Sequence, residues 1–175
     1  MRRHTRPAAL LIAALATTSL LATTGCTARA QVAFTVNGTA TTMTQVSDLA
    51  NGCAAALGGT TEVISAAGLV SDMIHDALAR QLAASNDISY TDEELRQPIV
   101  AGKVSPLAQL MLKDPTCEQL ALGLTLEGLV RDNLGVSAYQ SAAAAITVQV
   151  NPRFGTWNAT DLSVDGSGSL SQTDS

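Results

Sequence analysis

Residues 31–46 have the sequence QVAFTVNGTATTMTQV, in which a strand pattern passes into a helix pattern. Within Val32–Val36 every second residue is large and apolar, which is the period of a half-buried strand. Asn37-Gly38 is a turn signal, and Thr42 followed by Gln45 three residues later has the form of a capping box at a helix start. This stretch therefore predicts a short strand, a turn and then a helix.

The same alternation returns near the other end of the chain, in Ile146–Val150. The economical arrangement pairs this strand with Val32–Val36, because two short strands are stable only when they pair and pack against helices. The segment between them has helical spacing of its apolar residues and is rich in Ala and Leu, which are strong helix formers. The expected fold is mainly α: a helical bundle closed by a short two-stranded β pairing of the N- and C-terminal ends of the domain.

Capping and breaking residues divide the helical segment into six predicted helices. Thr91 begins a second capping box, and Ser105-Pro106 and Asp114-Pro115 place proline at the first helical position. Leucines alternate along 120–126 as in a strand, but the length of this segment and its few β-branched residues favour a helix. The predicted helices are 42–57, 61–85, a short helix from 91, one from 106, 115–134, and a short helix capped by Ser137 that runs to 145.

The composition indicates one domain with an aliphatic core. Apolar residues make up 46% of the 175 residues and aromatic residues 3%, so Leu, Val, Ile and Ala must supply most of the core. Three of the ten Lys and Arg residues lie among the first six residues, which leaves seven against fifteen Asp and Glu after residue 25, a net charge of −8. Without clustered cations, nucleic-acid binding and electrostatic attachment to anionic lipid are not expected.

The first 25 residues have the pattern of an export signal. Arg2, Arg3 and Arg6 form a cationic start, and the uncharged stretch 8–22 is too short to span a membrane as a helix. We therefore expect residues 1–25 to be a signal peptide and the protein to work outside the cytoplasm.

The end of this segment predicts a lipid anchor. Residues 23–26, Thr-Thr-Gly-Cys, resemble a bacterial lipobox, although Thr23 stands where the motif usually has Leu. The resemblance implies a lipid on Cys26, a linker over 26–30 and a location at the outer face of the cell membrane. Cleavage after the pattern Ala28-Arg29-Ala30 is the alternative, and it would give a secreted protein.

Two cysteines remain if Cys26 carries a lipid, namely Cys53 and Cys117. An even pair in an oxidising compartment predicts a disulfide between them. Two buried free thiols are the alternative, because cysteine also packs as a small apolar side chain.

The sequence offers no catalytic, metal or cofactor site. His75 is the sole histidine after the signal segment and is expected on a solvated helix face, since a metal ion would need further ligands. Cys53 and Cys117 have no histidine nearby in sequence to activate a thiolate. The acidic residues Asp92–Glu94 are explained by a helix start, where the helix dipole favours them. We expect no enzyme activity, no cofactor and no small-molecule substrate.

Two motifs resemble those of a known family. The sequence VNGTATTMTQV at 36–46 is similar to the opening of SurA-like chaperone domains, and VQVNPRFGTW at 148–157 is similar to their closing strand in bacterial surface lipoproteins. The resemblance covers 31–157. The remaining residues 158–175 are rich in Ser, Thr, Asp and Gly and are expected to form a disordered tail.

The resemblance implies a helical, chaperone-like domain that binds unfolded or extended client polypeptides outside the cytoplasm. SurA also carries parvulin domains, for which this chain has no room, so isomerase activity is not implied. A structural or adaptor lipoprotein with one dedicated cell-envelope partner is the alternative function.

Replacing Cys26 tests the anchor. Cells fed radiolabelled palmitate are expected to label the wild-type protein and not Cys26→Ala, because the thiol is the site of attachment. Equal release of both proteins into the medium would contradict lipidation and favour cleavage after Ala30.

Overall fold

The computed structural model describes residues 31–59 and 65–166, and these are mainly helical with a small antiparallel sheet. The predicted signal peptide, the predicted linker with Cys26 and residues 60–64 and 167–175 lie outside the described residues. Within the described ranges, no helix is both long and apolar enough to cross a membrane. In chain order the elements are β1 (Val32–Val36), β2 (Thr39–Thr42), α1 (Met43–Leu57), α2 (Ala66–Ser85), α3 (Asp92–Val100), α4 (Pro106–Met111), α5 (Pro115–Leu134), α6 (Val136–Ala144), β3 (Val148–Val150), β4 (Thr156–Asn158) and β5 (Ser163–Asp165).

Strand β1 lies in the centre of a three-stranded antiparallel sheet of order β2-β1-β3, where the sequence pattern predicted two strands. The additional strand arises from the turn after β1. Asn37 and Gly38 have φ values of 48° and 81°, and positive φ at both positions gives the two-residue turn whose twist suits a hairpin. The chain therefore reverses onto β1 over Thr39–Thr42 before α1 begins. On its other side β1 pairs with β3, with Phe34 opposite Val150.

Both predicted capping boxes are confirmed. The hydroxyls of Thr42 and Thr91 each accept a hydrogen bond from the backbone N–H three residues later. In return the side chains of Gln45 and Glu94 accept from the backbone N–H of the capping threonines. These residues therefore fix where α1 and α3 start.

Two predicted helix boundaries are wrong. Helix α6 starts at Val136, directly after Gly135, so Ser137 lies inside its first turn and does not cap it. Gly135 has a φ of 83°, a conformation that glycine adopts easily, and it lets α5 end and α6 begin without a loop. Helix α2 begins at Ala66 and not at 61, because Ser65 has a non-helical ψ of 120° and caps the helix by accepting a hydrogen bond from the Gly68 N–H.

Helices α2 and α5 form the centre of the core. Gly123 of α5 lets them approach closely, because a Cβ atom at this position would lie 2.7 Å from Cβ of Asp76 on α2. Asp76 in turn accepts a hydrogen bond of 2.8 Å from Arg80 Nε. The fully buried residues of the two helices are Val70, Ile74, Leu78 and Ala79 from α2 and Cys117, Leu122, Leu126 and Val130 from α5.

A disulfide joins Cys53 of α1 to Cys117 of α5, with Cα atoms 4.7 Å apart, and both residues are buried. Asp114 caps α5 beside it by accepting hydrogen bonds from the N–H groups of Thr116 and Cys117. Gly52 leaves room for that carboxylate, since a Cβ there would lie 2.5 Å from its Oδ1. The cysteines are 64 residues apart, a separation for which chain entropy gives about 4 kcal/mol of stabilisation.

A second, two-stranded antiparallel sheet of β4 and β5 follows β3. The predicted tail boundary at residue 157 falls inside this hairpin, so 158–166 are folded and the expectation of disorder there is wrong. Leu162 and Phe154 are buried in the main core. The polar composition of the segment gave no sign of this hairpin. Its turn is held by polar groups, because the side-chain amide of Asn158 donates to the carboxylates of Asp161 and Asp165. A few well-placed apolar residues therefore suffice to fold a polar segment.

Alanine at Gly123 tests the close approach of α2 and α5. Gly123→Ala is expected to lower the free energy of unfolding by about 1–3 kcal/mol, because the methyl group has to displace Asp76. Gly128→Ala, on the same helix, is the control: no atom lies within 4 Å of its added Cβ, so a gain of up to about 1 kcal/mol from helix propensity is expected. Urea denaturation followed by circular dichroism measures both, and equal stabilities would contradict the close packing.

Candidate functional site

A groove of about 510 Å³ lies between α3 and α5, and we call it the α3–α5 groove. Its apolar lining includes the buried side chain of Leu95 and the half-buried Leu124 and Leu129. Gly128 adds no side chain to the α5 wall. Apart from its neighbours in the chain and the backbone of its own helix, no atom lies within 4 Å of where its Cβ would be. The complete lining consists of Ser89, Tyr90, Glu94, Leu95, Pro98, Lys103, Val104, Leu124, Thr125, Gly128, Leu129 and Asp132.

An exposed apolar surface adjoins this groove where α3 passes into α4. We call it the apolar corner, and it consists of Val100, Val104, Leu107 and Leu110, which are 63%, 48%, 53% and 38% exposed. Val104 belongs to both the corner and the groove lining. Single exposed apolar residues are common on protein surfaces, but here four of the five large exposed apolar residues of the described chain fall within the segment 100–110.

Acidic groups outnumber cations around the groove. Glu94 and Asp132 line it, and Lys103 is the one cation among the described lining residues. Arg96 on α3 forms ion pairs with Glu93 and Glu118, so its charge is already neutralised. The groove therefore combines apolar walls with a net negative charge.

A polar cluster joins α2, α5, α6 and the β4–β5 hairpin, and we call it the His75 cluster. Nδ1 of His75 lies 3.0 Å from Glu127 Oε1, and Nε2 lies 2.7 Å from the carbonyl oxygen of Leu162. Glu127 Oε1 also accepts from Arg131 at 2.5 Å, and the Arg131 guanidinium lies 5.3 Å from the ring centroid of Tyr139. The expected solvated position of His75 is therefore wrong: its side chain is 19% exposed and bonds to two other elements.

The cluster shifts the pKa values of its own groups. The hydrogen bond with Glu127 raises the pKa of His75 above its ordinary value of 6.5, although burial opposes this. Burial favours a higher pKa for Glu127, but the hydrogen bond and charge of His75, with the charge of Arg131, outweigh it and lower the pKa below 4.5. Burial, with the negative charge of Glu127, raises the pKa of Tyr139. At pH values between the pKa of Glu127 and the pKa of His75, the two side chains form an imidazolium–carboxylate pair.

The geometry of the His75 cluster indicates a structural role. Both ring nitrogens of His75 face protein acceptors, so neither is free to exchange a proton with a substrate. The α3–α5 groove is lined by neither His75 nor Glu127. Within the described ranges, no group of three His, Cys, Asp or Glu side chains is placed to hold a metal ion.

The residues singled out from the sequence fall in separate places. Cys26 lies outside the described residues, and Cys53 and Cys117 are joined, so neither is a free thiol. Asp92–Glu94 occupy the first turn of α3, as the helix start predicts. The α3–α5 groove was not predicted from the sequence, because it forms only where two separate helices meet.

No protein-family model, curated protein sequence or solved structure matches this chain. Its function is therefore argued from the geometry.

The His75–Glu127 pair predicts a pH-dependent contribution to stability. Because the folded-state pKa of His75 is raised, its contribution is complete below pH 6.5 and is lost as the pH rises through the raised value. The lowered pKa of Glu127 makes its contribution present above pH 4.5 and lost as the pH falls through the lowered value. The free energy of unfolding of the wild type minus that of His75→Gln is expected to be largest between these pH values. Urea titrations across the range measure it, and a difference independent of pH would contradict the pair.

Proposed function

We propose that this protein is an exported, client-binding protein that holds extended apolar segments of other polypeptides in the α3–α5 groove. It acts on them by binding and not as an enzyme. The observation that carries the proposal is the groove with the apolar corner beside it. Exposed apolar surface is unfavourable in water when no partner is bound, and such surfaces commonly serve as contact sites.

The size of the groove favours an extended segment. Its volume of about 510 Å³ is in the range of sites for drug-sized ligands, which corresponds to a few amino-acid side chains and not to a folded domain. The apolar corner continues the surface beyond the groove, so a longer segment finds further contacts there.

The residue types favour tolerant binding over binding of one partner. Binding hot spots for a single partner are enriched in Trp, Tyr and Arg. The groove and the corner instead offer Leu and Val side chains, with Tyr90 as the one aromatic residue among the described lining residues. Aliphatic contacts depend little on the exact sequence of the bound segment.

The charge of the groove selects among apolar segments. Glu94 and Asp132 line the groove with one compensating cation, Lys103. We therefore propose clients that carry Lys or Arg beside their apolar residues, because like charges across a contact are unfavourable.

The proposal also includes where the protein is located and how its helical unit is closed. The signal peptide would export the chain, and a lipid on Cys26 would then hold the groove at the outer face of the cell membrane. The order of a strand, helices and a strand supports the resemblance to SurA-like chaperone domains. We propose that the pairing of β1 with β3 closes the helical unit and keeps its groove fixed.

Two aspartate substitutions at the apolar corner test this function. The purified protein is expected to suppress the aggregation of several unrelated unfolded proteins and to bind a fluorescent peptide of alternating Leu and Lys. Val104→Asp with Leu107→Asp is expected to weaken peptide binding about tenfold or more, because two apolar contacts are lost and charge is introduced.

Val136→Asp is the matched control. Val136 is an equally apolar side chain, 65% exposed, on α6 and outside the groove lining. Equal loss of binding in this variant would place the contact elsewhere. Protection of no unfolded protein, together with stoichiometric capture of one cell-envelope protein, would replace the chaperone-like function by the adaptor.

A further inference from the structure

The β4–β5 hairpin is held to the helices at two polar points, and one of them can change its protonation. At the first point, Nε2 of Gln140 on α6 donates to the carbonyl oxygen of Thr160 at 2.9 Å. The carbonyl oxygen of Leu162, between the two strands, accepts a hydrogen bond of 2.7 Å from Nε2 of His75 on α2. Trp157 of β4 packs edge-on against the same imidazole, with ring centroids 6.3 Å apart. Of the two polar contacts, only the one at His75 changes when a side chain gains or loses a proton.

The two partners of His75 cannot both be satisfied by a neutral imidazole. The Leu162 carbonyl and the ionised Glu127 carboxylate are acceptors and offer no proton. A doubly protonated ring donates one N–H to each of them. A neutral ring has one N–H, so one acceptor must face a nitrogen lone pair across a distance of about 3 Å.

The hairpin is the partner that loses its bond. A hydrogen bond to a charged carboxylate is stronger than one to a neutral carbonyl, and Arg131 keeps Glu127 ionised. The remaining proton therefore stays on Nδ1, and the lone pair of Nε2 faces Leu162. Leu162 has a φ of 51°, an unfavourable conformation for a leucine, so the turn gains by relaxing once this bond is lost.

The other charged groups around His75 do not change which acceptor loses its hydrogen bond. Asp72 on α2 adds negative charge and favours the doubly protonated ring. Tyr139 on α6 stays neutral, because burial and Glu127 raise its pKa. The two carboxylates of the hairpin, Asp161 and Asp165, bond to Asn158 instead.

We propose that His75 is a pH-sensitive latch that holds the β4–β5 hairpin against α2 when its ring carries two protons and releases this contact when the ring carries one. Release uncovers the buried side chain of Leu162 and the flank of β3 next to β4. The latch does not depend on the α3–α5 groove, so a failure of the client-binding proposal would leave it unaffected.

Hydrogen exchange and fluorescence on the purified protein between pH 5 and 9 test the latch. After correction for the intrinsic pH dependence of exchange, the amides of 156–165 are expected to exchange about fivefold or more faster above a midpoint higher than pH 6.5. Amides of α2 and α5 are expected to keep their protection. Trp157, the single tryptophan of the chain, is expected to report the same midpoint by its fluorescence.

Two variants separate a latch from a merely structural contact. In Glu127→Gln the new amide donates to Nδ1, so a neutral ring keeps its Nε2 proton for Leu162 and the hairpin is expected to stay closed at every pH. Asp72→Asn leaves both hydrogen bonds of His75 in place and is expected to lower the midpoint, because a negative charge that favours the doubly protonated ring is removed.

Three results would overturn the latch: no faster exchange of 156–165 in the wild type, the same rise in Glu127→Gln, or a parallel rise in α2 and α5. Should Glu127→Gln fail to fold, an unchanged midpoint in Asp72→Asn is sufficient to reject it.

Discussion

Most of this fold depends on the close contact between α2 and α5. It exists because Gly123 presents bare backbone to Asp76, which allows the aliphatic side chains of the two helices to interlock with little exposed surface. The remaining elements are arranged around this pair. The disulfide ties α1 to α5, strand β1 rests on α2, and the β4–β5 hairpin docks on α2 through His75.

Helix α5 serves two purposes with two glycines. Gly123 places no side chain where a neighbouring helix comes close, and Gly128 places none in the wall of the α3–α5 groove. A binding surface works best on an element that does not move. The disulfide at Cys117, the cap at Asp114 and the contact with α2 fix α5 along its length, so the groove has one rigid wall.

The sequence predicts those parts of the fold that depend on neighbouring residues, and it misses those that depend on distant ones. Thr42 and Thr91 mark helix starts because a capping box is complete within four residues. His75 was placed on a solvated face because its partners, Glu127 and Leu162, lie 52 and 87 residues away. The groove depends in the same way on α3 and α5 meeting. Strand β2 was missed for another reason: its Thr and Ala residues carry no apolar alternation, and the turn before it forces the pairing.

The central place of β1 sets the order in which the chain can fold. A growing polypeptide, whether it leaves a ribosome or an export channel, delivers β1 and β2 first, and an isolated hairpin of this size is barely stable in water. The third strand follows after six helices, so the ladder between Phe34 and Val150 closes a loop of almost the entire described chain. Long loops close slowly and at an entropic cost, whereas helices form from local contacts within microseconds. We therefore expect the sheet to be completed after the helices have formed, and partial chains to remain without a finished domain until β3 has been delivered.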